Sequence, residues 1–220
     1  MSGPRLRSYK LTHDSGFAPN PFFGSLTLAT CKPGIRRSAG IGEWVAGFTS
    51  AVLCGDPVGG ERLVYLMKIA ERMSIAEYFG DPRFAVKKPV TDSGSEPRRH
   101  GDNIYRPLGP GAVEPSEFEQ LRNDHHWDHR GDCEDSTSKR RDIGGHNVLV
   151  AREFAYFGRS ALEIPAALRP EIPKGQSGFG SLTHDPDRVN TFLEFVLAQA
   201  KSRVIGPPHV WPFHDETWRQ

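Results

Sequence analysis

Three short stretches of this 220-residue chain hold residue types that can do chemistry. The first is THDSGFAPNPFF, Thr12 to Phe23. An imidazole at His13 titrates near neutral pH, and Asp14 beside it can share or orient a proton, so the pair suits general acid–base work. Its competing role is to order the loop through backbone hydrogen bonds. Asn20 offers both a donor and an acceptor, as the edge of a nucleobase requires. Phe22 or Phe23 can stack on a flat ring, although core packing is expected of at least one of them. The second stretch is CKPGIRR, Cys31 to Arg37. Lys32, Arg36 and Arg37 form a small basic cluster fit for a phosphate. Within it, Cys31 is read as a small buried hydrophobe in preference to a nucleophile. The third is HGDNIY, His100 to Tyr105. Asp102 can move a proton and Asn103 can read an amide or a base edge, while an Asx-turn closing the loop is the alternative.

Two other motifs promise more than their spacing supports. NDHHWDHRGDCED holds Asp124, His125, His126, Asp128, His129, Asp132 and Cys133. These spacings match no known metal site, so a solvated loop with one functional histidine is expected and no metal is assigned. GQSGFGSLTHD is neither a dinucleotide fingerprint nor a P-loop, although the helix start at Asp185-Pro186 can face an anion.

The elements that must position these groups come from composition and periodicity. Gly (23) and Pro (18) are abundant and hydrophobic residues make up 37%, which predicts a globular chain rich in turns. The formal net charge is +1, so any basic surface is local. Three cysteines without a CxxC pair read as reduced thiols in a cytoplasmic protein. No apolar run approaches a membrane span, and no apolar leader is evident.

Strands are expected at Arg5 to Thr12, Gly24 to Thr30 and Glu43 to Thr49. Further strands are expected at Leu63 to Met73, where period-two alternation runs unbroken, and at Val148 to Phe157. Ser74-x-x-Glu77 is a capping box for a short helix. Lys87 to about Arg141 reads as a long irregular segment with one helical fragment at Pro115 to Asn123. Asp187 to Arg203 carries apolar residues at Val189, Phe192, Leu193, Val196, Leu197 and Ala200, one stripe of a helix capped by Asp185 and Pro186. The tail HVWPFHDETWRQ is read as an appended or docking segment. The class is α+β: a curved mixed or antiparallel sheet with a long C-terminal helix packed on it. A single domain over 1–220 is expected, with a core at 5–158, a link and helix at 159–205 and a tail at 206–220.

The stretch SYKLTHDSGFAPNPFFGSLTLATCKPGIRRSAGIGEWVAGF resembles the nucleotide-modification-associated domain proteins, in particular the group with an SYxxxHDxGFAPNPF, LATCKPxIR and GDWIxG signature. YLMKIAERMSIAEYFGDPRF, GDNIY and VLVAREFAYFG follow in the same order, so the likeness spans about Arg5 to Gly158. Glu43 stands where the pattern has Asp. The family keeps company with DNA base-hypermodification enzymes, so the resemblance implies a nucleic-acid or nucleotide partner, alongside other base-modification enzymes, rather than a mechanism. By motif it implies that His13, Asp14, Asn20, Lys32 and Arg36 line a site, joined by Asp102, Asn103 and Tyr105. GEWVAGF and the run after it also look like the core of PUA-like barrels of the EVE and ASCH type, a likeness of architecture alone.

Together these readings predict one pocket. Asn20 and Phe22 hold a base, with Asn103 and Tyr105 beside them. Lys32 and Arg36 hold its phosphate, and His13, Asp14 or Asp102 moves a proton. A group-transfer enzyme and a non-catalytic reader of modified bases both fit, and no cofactor is assigned.

Overall fold

The computed structural model describes residues 3–175 and 179–211. The central glycine of the GQSGFG motif, Gly178, and most of the tail, 212–220, lie outside the described residues. The chain opens with β1 (Leu6–Lys10), then β2 (Leu26–Leu28), α1 (Pro33–Ser38), β3 (Trp44–Phe48), α2 (Ala51–Cys54) and β4 (Leu63–Lys68). Next come β5 (Glu71–Ser74), α3 (Ile75–Gly80), α4 (Glu96–Arg99), β6 (Tyr105–Pro107) and β7 (Phe118–Gln120). After β8 (Trp127–Asp128) and β9 (Cys133–Glu134) follow α5 (Ser136–Ile143), β10 (Asn147–Ala151), β11 (Glu153–Tyr156), β12 (Ser181–Thr183) and α6 (Pro186–Gln199).

These elements form two compact units, each assembled from separated pieces of chain. Among its described residues, the first unit takes residues up to 15, then 39–70 and 151–211; the second takes 16–38 and 71–150. The architecture is mixed α+β.

In the first unit five strands pair in the order β11-β4-β3-β1-β12. β1 and β3 run parallel, Leu6 opposite Trp44, and the other pairings are antiparallel. α6 forms as its periodicity predicts, with Asp185 accepting from the amides of Asp187 and Arg188. Its apolar stripe, Val189, Phe192, Leu193 and Val196, packs on Leu6, Trp44, Ala46, Phe48, Leu63 and Leu66. The opposite sheet face carries a tyrosine pair, with Tyr65 donating to the Tyr9 hydroxyl at 2.8 Å. A close approach there requires Gly47, since a Cβ would sit 2.2 Å from the Tyr65 ring.

In the second unit β2, β10 and β5 form a three-stranded sheet, and β6 with β7 and β8 with β9 make two small hairpin sheets. Its core joins Phe17, Ile75, Tyr78, Phe84, Ile104, Phe118, Ile143, Val148 and Val150. The capping box forms as expected: Glu77 N–H donates to Ser74 Oγ, and Ser74 N–H donates to Glu77.

Three expectations are corrected. The run Leu63 to Met73 is not one strand. It breaks at Ile69-Ala70, and its halves pair in different sheets, because Ile69 N–H turns to Glu43 O while Gly42 N–H takes Ile69 O. The fragment Pro115 to Asn123 is a 3₁₀ turn followed by β7, since Glu117 reaches back to cap its own turn. None of the sheets among the described residues closes into a barrel. The long irregular segment from Lys87 to Arg141 holds short elements pinned by polar side chains. No described helix is long and apolar enough to cross a membrane.

Phe192 is fully buried against the five-stranded sheet. Phe192→Ala is expected to cost about 3–5 kcal/mol, read as a lower midpoint in urea unfolding at unchanged slope.

Candidate functional site

β2 ends at Leu28, and the chain reaches Cys31 three residues later. Cys31 (φ 55°) and Lys32 (φ 39°) are both left-handed, a conformation that costs a non-glycine residue about 1–2 kcal/mol. Two such residues in succession mark a sharp elbow whose strain other contacts must offset. The Cys31 amide donates to Asp142 Oδ1 at 2.8 Å, and its carbonyl accepts from Arg36 Nη1 at 3.2 Å. The elbow is thereby tied to α5 and α1.

Its thiol faces a histidine. Cys31 Sγ lies 3.6 Å from His126 Nε2, and His126 Nδ1 lies 2.7 Å from Asp142 Oδ2. Thiol, imidazole and carboxylate thus form a compact cluster whose residue types can serve as a nucleophile, a base and a group that orients the base. His126 is fixed by its own backbone, whose amide donates to Asn123 Oδ1 and whose carbonyl accepts from Gln120 and Asn123. The Phe17 ring packs edge-on against His126, 5.0 Å between centroids.

Asp142 is fully buried. Oδ1 accepts from Cys31 N and Arg141 Nε, and Oδ2 from His126 Nδ1 and the Tyr105 hydroxyl at 2.8 Å. Burial pushes its pKa up, but the hydrogen bond and charge of His126, with Arg36 and Arg141, hold it below the usual carboxylate value. Burial works to lower the His126 pKa, and Asp142 with Cys31 more than reverses this, raising it to about 9. Tyr105, raised by burial and by Asp142, stays a phenol and donates. Arg36 is wholly buried and donates to Asn147 O, Cys31 O and Asp142 O. Burial lowers the Lys32 pKa, Cys31 opposes that shift and Arg141 adds to it.

The ligating atoms of Cys31, His126 and Asp142 lie within 4.8 Å of one another, a spacing that could suit a metal. Both carboxylate oxygens, however, already accept two donors each, and Arg36 and Arg141 crowd the same spot. The two guanidinium groups and the filled carboxylate oxygens disfavour a cation at this spot.

A second polar network anchors the other end of β2. Lys87 Nζ is buried and donates to Asn20 O, Asn20 Oδ1, Ser25 O and Thr27 Oγ1, at 2.7–3.1 Å. Thr27 donates to Asp102 Oδ2 at 2.6 Å, and Tyr78 donates to Asp102 Oδ1 at 2.7 Å. Burial lowers the Lys87 pKa to about 8 and raises that of Asp102.

The sequence-predicted residues are therefore distributed as follows. Arg36 and Tyr105 join the Cys31 centre, and Lys32 adjoins it. Asn20 and Asp102 meet in the Lys87 network, where the Asn20 amide also donates to His100 O. Asn103 donates to Tyr78 O and Phe84 O, and Phe22 is 5% exposed. His13 and Asp14 belong to the first unit. There His13 is exposed, and buried Asp14 accepts from the Tyr156 hydroxyl at 2.5 Å and pairs with His209 Nδ1 at 2.7 Å. Sequence reasoning missed Asp142 and Lys87, and it set Cys31 aside. Only the left-handed elbow at Cys31 distinguishes it, and a sequence does not display that.

The fold and site define an α+β protein whose candidate site, among the described residues, is a cluster of thiol, imidazole and carboxylate. The family described as nucleotide modification associated domain 2 matches residues 3–215, nearly the whole chain, and the protein belongs to it. Comparison with curated proteins and with solved structures finds no match.

A histidine raised to about 9 in the fold and near 6.5 when unfolded adds stability that is complete below pH 6.5 and lost as pH rises through 9. Lys87, lowered to about 8, acts with the opposite sign: stability rises with pH between 8 and its unfolded value. The informative quantity is therefore the difference between the wild type and His126→Gln. Wild type is expected to lose on the order of 3 kcal/mol more than the variant between pH 6.5 and 9, measured by urea unfolding. Equal slopes would contradict the pairing of His126 with Asp142.

Proposed function

We propose that the protein takes part in nucleotide modification as a group-transfer enzyme that reacts through Cys31. The observation that carries this reading is the Sγ to Nε2 distance of 3.6 Å, with Asp142 holding the far side of the same imidazole. Family membership supplies the nucleotide context.

In this reading thiol and imidazole exchange one proton, and the raised basicity of His126 favours the charged pair. The sulfur attacks the carbonyl carbon of an acyl donor. A C–S bond forms, the bond to the donor's leaving group breaks, and His126 passes that group its proton. An amine or hydroxyl of the base or nucleotide then attacks the thioester, His126 takes its proton, and the sulfur leaves. Atoms and charges balance without an outside oxidant or reductant. Tyr105 and Arg36 fix Asp142 and the elbow. Asn20, Asp102 and Asn103 serve by holding the strand that delivers Cys31, and Lys32 lends positive charge beside the thiol. His13 and Asp14 take no step in this reading.

The full chain is expected to alkylate with iodoacetamide faster at Cys31 than at the exposed Cys54 and Cys133, and His126→Ala is expected to remove that advantage. In cells, Cys31→Ser should abolish the modified nucleoside seen by mass spectrometry with the wild-type protein. Retention of that nucleoside in the variant would end this reading.

A further inference from the structure

One nitrogen in the site is claimed twice. Cys31 Sγ and Arg141 Nη2, at 3.6 Å and 3.1 Å, both approach His126 Nε2. A neutral imidazole with its proton on Nδ1 can accept from only one of them. Once Nε2 carries the proton it accepts from neither, and the guanidinium faces another cation. Asp142 cannot give that arm of Arg141 a new acceptor, because its two oxygens already serve Cys31 N, Arg141 Nε, His126 and Tyr105. Arg141 is 43% exposed, so it can turn toward whatever enters from solvent.

Charge sharpens the argument. Arg36 is fully buried and its Nη2 has no hydrogen-bond partner among the described residues. Among the described residues Asp142 is the one carboxylate bonded to the cluster. Asp135, which also feels His126, spends Oδ1 capping α5. While the sulfur is anionic it offsets part of the positive charge. In the thioester that offset is gone and His126 has given up its proton, so Asp142 stands against the two guanidinium groups of Arg36 and Arg141. A neutral guest would leave that positive excess unanswered, whereas a phosphate anion answers it and gives Arg141 the bidentate acceptor that a guanidinium prefers.

We propose that the molecule handled at Cys31 carries a phosphate ester, and that Arg141 grips it. This rests on the reading of Cys31 as the reacting sulfur and adds the substrate class: a nucleotide or a nucleic-acid phosphate, not a free base or nucleoside. Arg141 was not among the basic residues that the sequence singled out. Arg36, which was, spends its Nε and Nη1 on backbone carbonyls.

The test follows the iodoacetamide alkylation rate of each cysteine in the full chain, at constant ionic strength. Additives are thymidine, thymidine 5′-monophosphate, inorganic phosphate and a short single-stranded oligonucleotide. Near saturation a phosphate-bearing additive is expected to slow Cys31 about tenfold, with Cys54 and Cys133 unchanged and thymidine without effect. Protection by the monophosphate or by phosphate points to a small-molecule source, and protection by the oligonucleotide alone to a polymer backbone. Both support the proposal. Arg141→Lys should keep most of the protection and Arg141→Gln should lose it. Equal protection by thymidine and its monophosphate, no protection by any phosphate, or full protection in Arg141→Gln would overturn it. If Cys31 reacts no faster than the two reference cysteines without additive, the thiol-centred reading fails instead, and the two failures are told apart by that first measurement.

Discussion

One buried carboxylate organises the second unit. Asp142 draws together the amide of the Cys31 elbow, the His126 ring, the Tyr105 hydroxyl and the Arg141 guanidinium. They come from a loop after β2, the loop before β8, the start of β6 and α5 itself. A carboxylate with no solvent exposure is tolerable only because every lone-pair direction finds a donor, two of them on cationic side chains. The converse also holds. Loss of the acid would leave the Tyr105 phenol, the Cys31 amide and the His126 ring N–H without an acceptor, a penalty of about 1–3 kcal/mol for each buried group. The same charge that closes the packing sets the proton affinity of the histidine, so architecture and reactivity share one atom pair.

The Lys87 network does for the start of β2 what Asp142 does beyond its end. A buried ammonium costs much in desolvation, and here four oxygens of Asn20, Ser25 and Thr27 share that load. This explains why the Gly-, Pro- and Asn-rich stretch before β2 is so polar: its polar groups point inward and hold an irregular backbone. The analogous device in the first unit is Asp14, which ties Tyr156 and His209 to the loop after β1. The polar signature is thus spent largely on loop architecture, and the Cys31 elbow is what that architecture presents.

The sequence made the elements with a single period legible. α6 announces itself through Val189, Phe192, Leu193 and Val196 and through Asp185 at its head, and Ser74 with Glu77 marks the start of α3. The run across Ile69-Ala70 was misread because alternation continues through the break; what ends the strand is a backbone exchange with Gly42 and Glu43, distant in sequence. The site was half legible. HHWDH drew notice as a histidine cluster, but the selection of His126 depends on Asp142, 16 residues on, and Cys31, 95 residues back. No spacing rule links these three, and RRDIGG reads as an ordinary helix end. Arg36 and Tyr105, named as substrate-binding residues, bond instead to backbone carbonyls and to Asp142, partners that only long-range folding brings together.

The broken run at Ile69-Ala70 has a consequence for how the molecule can be made. Among the described residues the chain passes from one compact unit to the other between 15 and 16, 38 and 39, 70 and 71, and 150 and 151. No single cut releases either unit as a continuous peptide. During synthesis, the first unit's central sheet lacks β11 and its covering helix until the last third of the chain has emerged, although β1, β3 and β4 are exported early. Those strands must wait with open edges while the intervening segment completes its own core, so the order of translation imposes a period of exposure on them.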